Sequence, residues 1–581
     1  MFMRSNFRES IQSVLLGNKG NFFYHFLTPL WILSFYFVSV SSFLPGGVNN
    51  IFIRDSGIYV VLVTSILSII FIVVYGGKKG SLYLPKEQRN EISPRNVILL
   101  LFPLMPIAQY ILNSSDILSF FEAIYVFLFF TIFAAIFILF IPMFFAKVSS
   151  PIALMLLGVA FTFSIMNMGV LSKQFSWYAV GNINVQVAVF LGVFIFVLML
   201  FSSGYPNVLY VLVVILFVTN SVFQILKRSE VVPEIVDRKD DSELVALIGS
   251  RKPEFQPNIY LLVYDAYVVN ETMLSYGIDN RSQEQYLKEI GFQIYPQTYS
   301  IGSPSVSSMS RVLNASTQFY GNPRRAVSGD GVVHNLLNQF GYKNYGLFFS
   351  DYFFRGTSPL YDYSFPTATP LIDILIKSIF IGEFRFDVGF DYVSREEFDK
   401  EKYNVFSNKF DFPKFIYMHS LIPGHSQNSG KCLQNEIELF EERLLYANAE
   451  MKRDISIILK NDPNAIVIVA GDHGPYLTKN CLYLSDNCDI SEITRLDIQD
   501  RFGTFLAIRW PTQDFEEYDD ITILQDLFPS ISAYLFQDAT LLNAKVETIT
   551  LENIISGAKV VDGIIEGGIN DGEPLFIGAN E

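Results

Sequence analysis

The chain has 581 residues, of which 50% are hydrophobic and 17% are charged, so it is too long for one core and too apolar for an ordinary soluble protein. Its charge is uneven. Residues 1–228 hold 13 Lys or Arg and 6 Asp or Glu, a net charge of +7, which leaves −22 for the remainder. This acidity excludes nucleic acid as a partner, because phosphate binding needs clustered Lys and Arg.

Seven apolar runs precede Lys227, and each approaches the roughly 20 residues that a helix needs to cross about 30 Å of hydrocarbon. The sequence therefore predicts a polytopic α-helical membrane domain over 1–228, with about seven helices in the lipid bilayer. The runs cover 27–45, 57–76, 97–114, 118–146, 152–171, 185–203 and 207–226.

The connections between these runs predict the orientation, because Lys and Arg resist translocation and mark the cytoplasmic side of a membrane. We therefore expect the N-terminus to be cytoplasmic, with no cleaved signal peptide. An odd number of spans then places residue 229 onward in the periplasm or outside the cell. The most basic connection carries Lys78, Lys79, Lys86, Arg89 and Arg95.

The rest of the chain predicts a juxtamembrane linker over 229–256 and an extracytoplasmic α/β domain over 257–581. In this domain, strand-length apolar runs such as NIYLLVYD, KFIYMHS and AIVIVAGD alternate with helical stretches such as VVHNLLNQF. Alternating strands and helices are typical of a mostly parallel sheet that is covered on both faces.

Polar residues follow three of these apolar runs: Asp265, His419 and the pair Asp472 and His473. Ligands of parallel sheets bind beyond the carboxyl ends of the strands, so these side chains are expected to meet. Carboxylates and imidazoles together suit a divalent metal ion such as zinc, manganese or magnesium.

The string PNIYLLVYDAY and, some 200 residues later, VIVAGDHG resemble the sulfatase-like branch of the alkaline phosphatase superfamily. The likeness is greatest to its membrane-anchored phosphoethanolamine and phosphoglycerol transferases, and it spans roughly 256–536. It implies an alkaline phosphatase or sulfatase-like fold with one divalent metal, held by Asp265, Asp472, His473 and the nucleophile. Sulfatases resemble one another in a second Asp after the first strand, whereas this chain has Ala266, and this difference favours the transferase branch.

The resemblance also implies a nucleophile within TYSIGSPSVSSMSRVLN. Ser305 fits the frame of the transferase threonine and is the principal candidate. Ser303 is an alternative, because the turn before it resembles the one before the phosphoethanolamine-transferase threonine. Ser307 is another, with Ser and Arg at the sulfatase spacing, although Met309 replaces the proline of that signature.

The stretch from His419 to His425 resembles the family's H-x-x-x-P-H loop with one extra residue, which implies substrate-binding or acid–base roles for both histidines. The resulting hypothesis is a transferase. It moves a phosphoethanolamine or phosphoglycerol head group from a membrane phospholipid to a cell-surface glycan or lipid through a covalent phosphoserine. The alternatives are a membrane-tethered sulfatase or phosphatase, and a transporter or sensor whose globular domain only binds.

The chain has three cysteines, Cys432, Cys481 and Cys488, all in the acidic part. A disulfide is expected only in an oxidising compartment. Since six residues across a turn-like stretch separate the last two, a Cys481–Cys488 disulfide is one prediction and three unpaired thiols are the alternative, with no partner assigned to Cys432.

Overall fold

This computed structural model describes much of the chain from residue 94 onward. The predicted spans 27–45 and 57–76, and most of 207–226, lie outside the described residues. Those residues are 94–113, 118, 120–145, 151–175, 183–202, parts of 210–219, and 242–578 apart from 321–322, 355–358, 382–389, 409–410, 427–432, 483–487 and 552–554.

The chain divides into two compact units. The first consists of Met1–Val232 and Thr369–Gly389, and the second of Pro233–Ala368 and Phe390–Glu581. The division near residue 232 lies close to the boundary predicted at 228. The segment Thr369–Gly389, which the sequence analysis assigned to the domain 257–581, is grouped with the first unit instead.

Apolar helices make up the described part of the first unit. A 3-10 helix, Pro94–Leu100, leads into α1 (Leu101–Asn113). Helix α2 (Phe120–Ala135) continues through a π-helical segment, Ile136–Phe140, and a last α-helical turn that ends at Phe144. Two further helices follow, α3 (Pro151–Phe175) and α4 (Ile183–Ser202).

Within the described residues, two helical segments are long and apolar enough to cross a membrane, Arg95–Leu112 and Phe120–Phe144. They coincide with the predicted runs 97–114 and 118–146. Two shorter apolar segments, Pro151–Asn167 and Ala188–Leu198, overlap the next two predicted runs, 152–171 and 185–203. The count of seven spans stays a prediction.

The second unit is built from strands and helices in alternation. Its strands are β1 (Ile259–Tyr264), β2 (Gln293–Ile294), β3 (Lys343–Phe348), β4 (Tyr363–Phe365), β5 (Lys414–Ser420), β6 (Ile466–Ala470), β7 (Leu506–Arg509), β8 (Lys559–Val561) and β9 (Ile564–Glu566). The helices are α5 (Glu243–Ile248), α6 (Asn270–Ser275), α7 (Arg281–Glu289), α8 (Ser305–Asn314), α9 (Val332–Gln339), α11 (Arg395–Ser407), α12 (Glu436–Asn461), α13 (Arg495–Phe502) and α14 (Leu527–Phe536). Helix α10 (Leu371–Ile381) belongs to the first unit.

Seven strands form one sheet in the order β2-β7-β6-β1-β5-β3-β4. Strand β1 pairs in parallel with both β5 and β6, and β3 pairs in parallel with β4 and β5. Strand β7 runs antiparallel to β6 and β2. The prediction of a mostly parallel sheet is confirmed, and the sheet is mixed at one edge.

Side chains of the central strand alternate between two hydrophobic cores, one on each face of the sheet. Ile259, Leu261 and Val263 pack into the first core, while Tyr260 and Leu262 pack into the second. Every residue of β1 is buried. A strand buried on both faces reads as a continuous apolar run, which is why NIYLLVYD identified this strand in the sequence.

Candidate metal centre and nucleophile

Three neighbouring strands bring the candidate metal ligands to one edge of the sheet. Asp265 follows β1 directly, His419 is the penultimate residue of β5, and Asp472 lies two residues beyond β6. In the register of the sheet, Val263 is opposite both His419 and Ala470. Parallel pairing therefore places the three strand ends side by side, as the sequence predicted.

The ligand atoms of this cluster lie close together. His473 Nε2 is 3.6 Å from Asp265 Oδ1 and 3.4 Å from Asp472 Oδ2, and His419 Nε2 is 3.6 Å from Asp472 Oδ2. The residues fall into two overlapping sets whose ligand atoms all lie within 4.8 Å of one another. One set is Asp265, His425 and His473; the other is Asp265, His419 and Asp472.

Two glycines allow the loop after β6 to approach its neighbours closely. A Cβ on Gly471 would lie 1.9 Å from Tyr267 O, and one on Gly474 would lie 2.0 Å from Asp500 O. Both contacts are with backbone atoms, which cannot move aside as a flexible side chain would. The sequence G-D-H-G is therefore needed to place Asp472 and His473 against these segments.

Hydrogen bonds orient the ligands. The amides of Ala266 and His473 donate to Asp472 Oδ1 at 3.0 Å and 3.1 Å. His473 Nδ1 lies 2.8 Å from Gly474 O and donates to it, so Nε2 presents its lone pair to the cluster. On β5, the Tyr417 hydroxyl lies 2.9 Å from His419 Nδ1 and holds that ring in the same way.

The electrostatics of the cluster favour neutral His419 and His425 and an ionised Asp472. Burial lowers the pKa of His419 to about 4 and that of His425 to about 3. Burial alone would raise the pKa of Asp472, but the neighbouring His473 and His419 outweigh it, and this pKa is lowered. Neutral imidazole and ionised carboxylate are the forms that bind metals.

These residues fit a divalent metal ion. Asp472 Oδ2 is buried and accepts no hydrogen bond from any described residue, although it lies among imidazole nitrogens. A buried carboxylate oxygen without a donor is costly unless a cation neutralises it. Three imidazoles and two carboxylates form a donor set typical of zinc or manganese.

The Ser305 hydroxyl contacts a ligand side chain of the cluster. Ser305 is the first residue of α8, follows Pro304 at the N-cap, and is half-buried. Its Oγ lies 3.2 Å from His473 Nε2. Because His473 Nδ1 carries the ring proton, the serine hydroxyl donates this hydrogen bond.

The two alternative serines make different contacts. Ser303 is buried, and its hydroxyl lies 3.0 Å from the Tyr476 hydroxyl. The hydroxyl of Ser307 accepts a hydrogen bond from the Arg311 guanidinium. The geometry thus favours Ser305 over Ser303 and Ser307 as the nucleophile.

The loop after β5 brings His425 to the cluster in spite of its extra residue. The amide of Gly424 donates to Asp265 O at 2.9 Å, which fixes the loop beside the first ligand. The His425 ring lies 5.6 Å from that of His473. His419 and His425, which the resemblance implied as substrate-binding or acid–base groups, therefore both stand among the candidate ligands.

Sequence reasoning missed two tyrosines at this site. Tyr417 precedes His419 by two residues, on the same face of β5, and that spacing could have indicated it. Tyr476 stacks on the ring of His473 with centroids 4.9 Å apart. Nothing in the sequence around Tyr476 distinguishes it from an ordinary loop residue.

The predicted Cys481–Cys488 disulfide is wrong. Cys481 is disulfide-bonded, but Cys488 is not part of a disulfide. The prediction relied on closeness in sequence, which does not decide whether two Cα atoms come within about 7 Å. Cys432 lies outside the described residues.

Comparison with known proteins finds likeness in structure alone. No protein-family model and no curated protein matches the sequence. The C-terminal periplasmic domain of EcEptC from Escherichia coli, solved in complex with Zn, is 14% identical, with a TM-score of 0.33; the alignment covers 50% of this chain and 84% of that one.

Two further solved structures are similar to the chain. An alkaline phosphatase superfamily protein from Vibrio parahaemolyticus is 16% identical over 54% of this chain and 77% of its own, with a TM-score of 0.34. The lipoteichoic acid synthase LtaP from Listeria monocytogenes is 13% identical over 55% and 83%, with a TM-score of 0.33. Because these scores are below 0.5, the functional proposal rests on the side chains of the site itself.

Proposed function

We propose that this chain is a membrane-anchored, metal-dependent transferase that moves a phospho-linked head group through a covalent intermediate on Ser305. The observation that supports it best is the convergence of the Ser305 hydroxyl with His473, Asp265 and Asp472, in which successive contacts are 3.2 to 3.6 Å long. A hydroxyl beside a cluster of metal-binding groups suits metal-assisted nucleophilic catalysis by serine.

Asp265, Asp472 and His473 would hold the divalent metal, together with Ser305, and His419 and His425 are further ligand candidates. When bound, a metal ion would supply positive charge that favours ionisation of the serine hydroxyl and offsets the charge developing on phosphorus. Zinc, manganese and magnesium remain the candidates. The imidazole-rich donor set favours the first two.

In the first half-reaction, Ser305 Oγ would attack the phosphorus of a phospholipid. The Oγ–P bond forms as the bond from phosphorus to the diacylglycerol oxygen breaks. That oxygen leaves with the electron pair and takes a proton from water, and the serine proton passes to solvent, to which the half-buried Ser305 has access. Burial lowers the pKa values of His419 and His425 to about 4 and 3, which favours their neutral, metal-binding forms at pH 7.

In the second half-reaction, a hydroxyl of the acceptor would attack the phosphoserine. Its oxygen forms the new bond to phosphorus and loses its proton to solvent, while the Oγ–P bond breaks and Ser305 Oγ takes a proton from water. A cell-surface glycan or lipid is the proposed acceptor. If water replaces the acceptor hydroxyl, the enzyme is a hydrolase. A hydrolase is the second candidate function, because the same Ser305 geometry serves transfer and hydrolysis.

The apolar first unit favours a lipid donor. Two of its helices are long and apolar enough to cross a bilayer. An enzyme that draws phosphoethanolamine or phosphoglycerol from a phospholipid must work at the membrane surface, whereas a hydrolase of soluble esters gains little from such an anchor. We therefore propose a phospholipid donor at the periplasmic or extracellular face of a plasma or inner membrane.

The proposal is tested with the full chain in vesicles that contain head-group-labelled phosphatidylethanolamine or phosphatidylglycerol. We expect metal-dependent release of diacylglycerol from one of these lipids, and loss of that release in Ser305→Ala. Ser307→Ala serves as the matched control and should keep it. Release of sulfate from an aryl sulfate without lipid turnover would instead establish a sulfatase.

A further inference from the structure

Tyr476 connects the segment that precedes the candidate nucleophile to the ring of a candidate metal ligand. Its hydroxyl donates to Ser303 O at 2.7 Å and lies 3.0 Å from Ser303 Oγ, two residues before Ser305. Its ring stacks on His473, with an angle of 6° between the two planes. One side chain thus contacts the residue two positions before Ser305 and also the ring of His473, the hydrogen-bond partner of Ser305.

The backbone of Tyr476 is in an unfavourable conformation. Its φ is +56°, in the left-handed region that residues with a large side chain rarely adopt. Its amide donates to Asp500 O at 3.3 Å. Strain of this kind persists only where the surroundings impose it, and it concentrates at functional sites.

Arg501 stabilises the tyrosine ring. Its guanidinium carbon lies 4.1 Å from the centre of the Tyr476 ring, and the residue is 3% exposed. Among the described residues, none accepts a hydrogen bond from Arg501 Nε or Nη1. Since this cation is buried, its attraction to the ring restricts where the ring can lie.

We infer that Tyr476 is a positioning residue, which holds the Ser305 hydroxyl against His473 Nε2 through its hydroxyl and holds the His473 ring through its own ring. This inference rests on the proposed function for its effect on turnover, but its effect on the metal centre does not require turnover. The two parts of the side chain have separable roles.

Tyr476→Phe removes the hydroxyl and keeps the ring. We expect this variant to bind Co²⁺ with a dissociation constant within about twofold of the wild type, since His473 stays stacked. The absorption spectrum of bound Co²⁺, which reports the groups around the ion, should shift toward that of Ser305→Ala. With a lipid substrate, kcat should fall about 10- to 100-fold with little change in KM, because the serine is misplaced rather than lost.

Tyr476→Leu removes the ring as well. Loss of the support for His473 should weaken Co²⁺ binding about 10- to 100-fold, the usual effect of removing a group that orients a ligand. Ser303→Ala removes the serine hydroxyl that lies 3.0 Å from the Tyr476 hydroxyl, so it should shift the Co²⁺ spectrum in the same direction as Tyr476→Phe. It keeps the inference testable if the Tyr476 variants do not fold.

Tyr342→Phe is the matched control. Its buried hydroxyl donates to a backbone oxygen, Pro257 O, at 2.8 Å, but it lies outside the cluster. Its Co²⁺ spectrum and kcat should equal those of the wild type, even though its stability falls as much as that of Tyr476→Phe.

Three outcomes distinguish the role of Tyr476 from the proposed function. A spectrum that shifts in Tyr476→Phe but not in Tyr342→Phe supports the inference. If Ser305→Ala changes the spectrum and Tyr476→Phe does not, the inference is overturned while the proposed function stands. If the wild type binds no Co²⁺, the metal centre and the inference both fail.

Discussion

At the scale of the residue, Asp472 is the best test of the metal centre because its two oxygens have different surroundings. Oδ1 accepts the amides of Ala266 and His473, whereas Oδ2 faces the imidazoles without a donor. Asp472→Asn keeps the shape and the Oδ1 hydrogen bonds but removes the negative charge. We expect zinc affinity, measured by competition with a chelator, to fall at least about 100-fold. This loss is larger than the one expected for a residue that only orients a metal ligand.

Asp497→Asn is the control for this substitution. Asp497 is also buried, but its side chain accepts a hydrogen bond from the backbone of Thr494, the N-cap residue of α13. It is not part of the metal cluster. Its loss should lower stability and leave zinc affinity unchanged. Equal zinc affinity in Asp472→Asn and the wild type would contradict the metal assignment.

The site residues differ in how readily each could be predicted from the sequence. Asp265, Asp472 and His473 lie within three residues of the ends of apolar strands, so parallel pairing was enough to predict that they meet. Ser305 required a family resemblance, since six serines lie between 300 and 310. Tyr476 required the structure, because its contacts with Ser303 and Arg501 join segments that are far apart in the chain.

At the scale of the element, a buried ion network joins α11, α12 and two strand ends. Lys402 on α11 is 2% exposed and lies 2.7 Å from Glu450 and 2.9 Å from Asp454 on α12. Ser420 donates to Glu450 at 3.0 Å and Tyr264 donates to Asp454 at 3.2 Å. These two residues end β5 and β1, next to His419 and Asp265, so the network supports the strands that carry the ligands.

We expect Lys402→Met to lower the free energy of unfolding by about 3–5 kcal/mol, because Asp454 loses its buried cation and Glu450 keeps only Arg395, which lies 2.9 Å from its second carboxylate oxygen. The measurement is urea denaturation of the full chain in detergent. Lys343→Met is the control, since the Lys343–Asp362 pair of 2.8 Å is half-exposed and should contribute less than about 1 kcal/mol. Similar losses in both variants would contradict a structural role for the network.

The same network predicts a dependence of stability on pH. Burial raises the pKa of Asp454 from 3.8 to about 6, with Lys402 lowering it and Glu450 raising it further. The folded state therefore holds this proton more tightly than the unfolded state. The resulting stabilisation is present below about pH 4 and is lost as the pH rises to about 6.

Asp454→Asn cannot titrate, so the melting temperature of the wild type relative to this variant should fall between pH 4 and 6 and then level off. Thermal unfolding of both proteins across this range gives the comparison. A difference that stays constant from pH 4 to 7 would show that Asp454 ionises with an ordinary pKa.

The central strands β1, β5 and β6 could be predicted from the sequence because each is a fully buried run of mostly apolar residues. The partners of the ion network could not. Lys402, Glu450 and Asp454 lie on helices whose sequences are rich in charge, and such residues usually face solvent. Only the packing of α11 against α12 shows that these three are buried.

At the scale of the whole molecule, the change in composition near residue 228 predicted an apolar part and an acidic part, and the chain divides into two units close to that point. The sequence did not reveal that Thr369–Gly389 is grouped with the first unit. In the described part of this segment, Ile374 and Leu375 are buried in a cluster with residues of α1 and α2. An apolar helix such as α10 fits a core of either unit equally well, so its composition alone could not decide.

The central claim is that Ser305 becomes covalently loaded with a head group taken from a phospholipid. The most direct measurement is mass spectrometry of the peptide containing Ser305, after the metal-loaded full chain has been incubated with head-group-labelled phospholipid vesicles and quenched in acid. We expect one phospho-linked head group on this peptide, with fragmentation placing it on Ser305, and an equal amount of diacylglycerol released. A head group located on Ser303 or Ser307, or diacylglycerol released while Ser305 stays unmodified at every time point, would contradict the account.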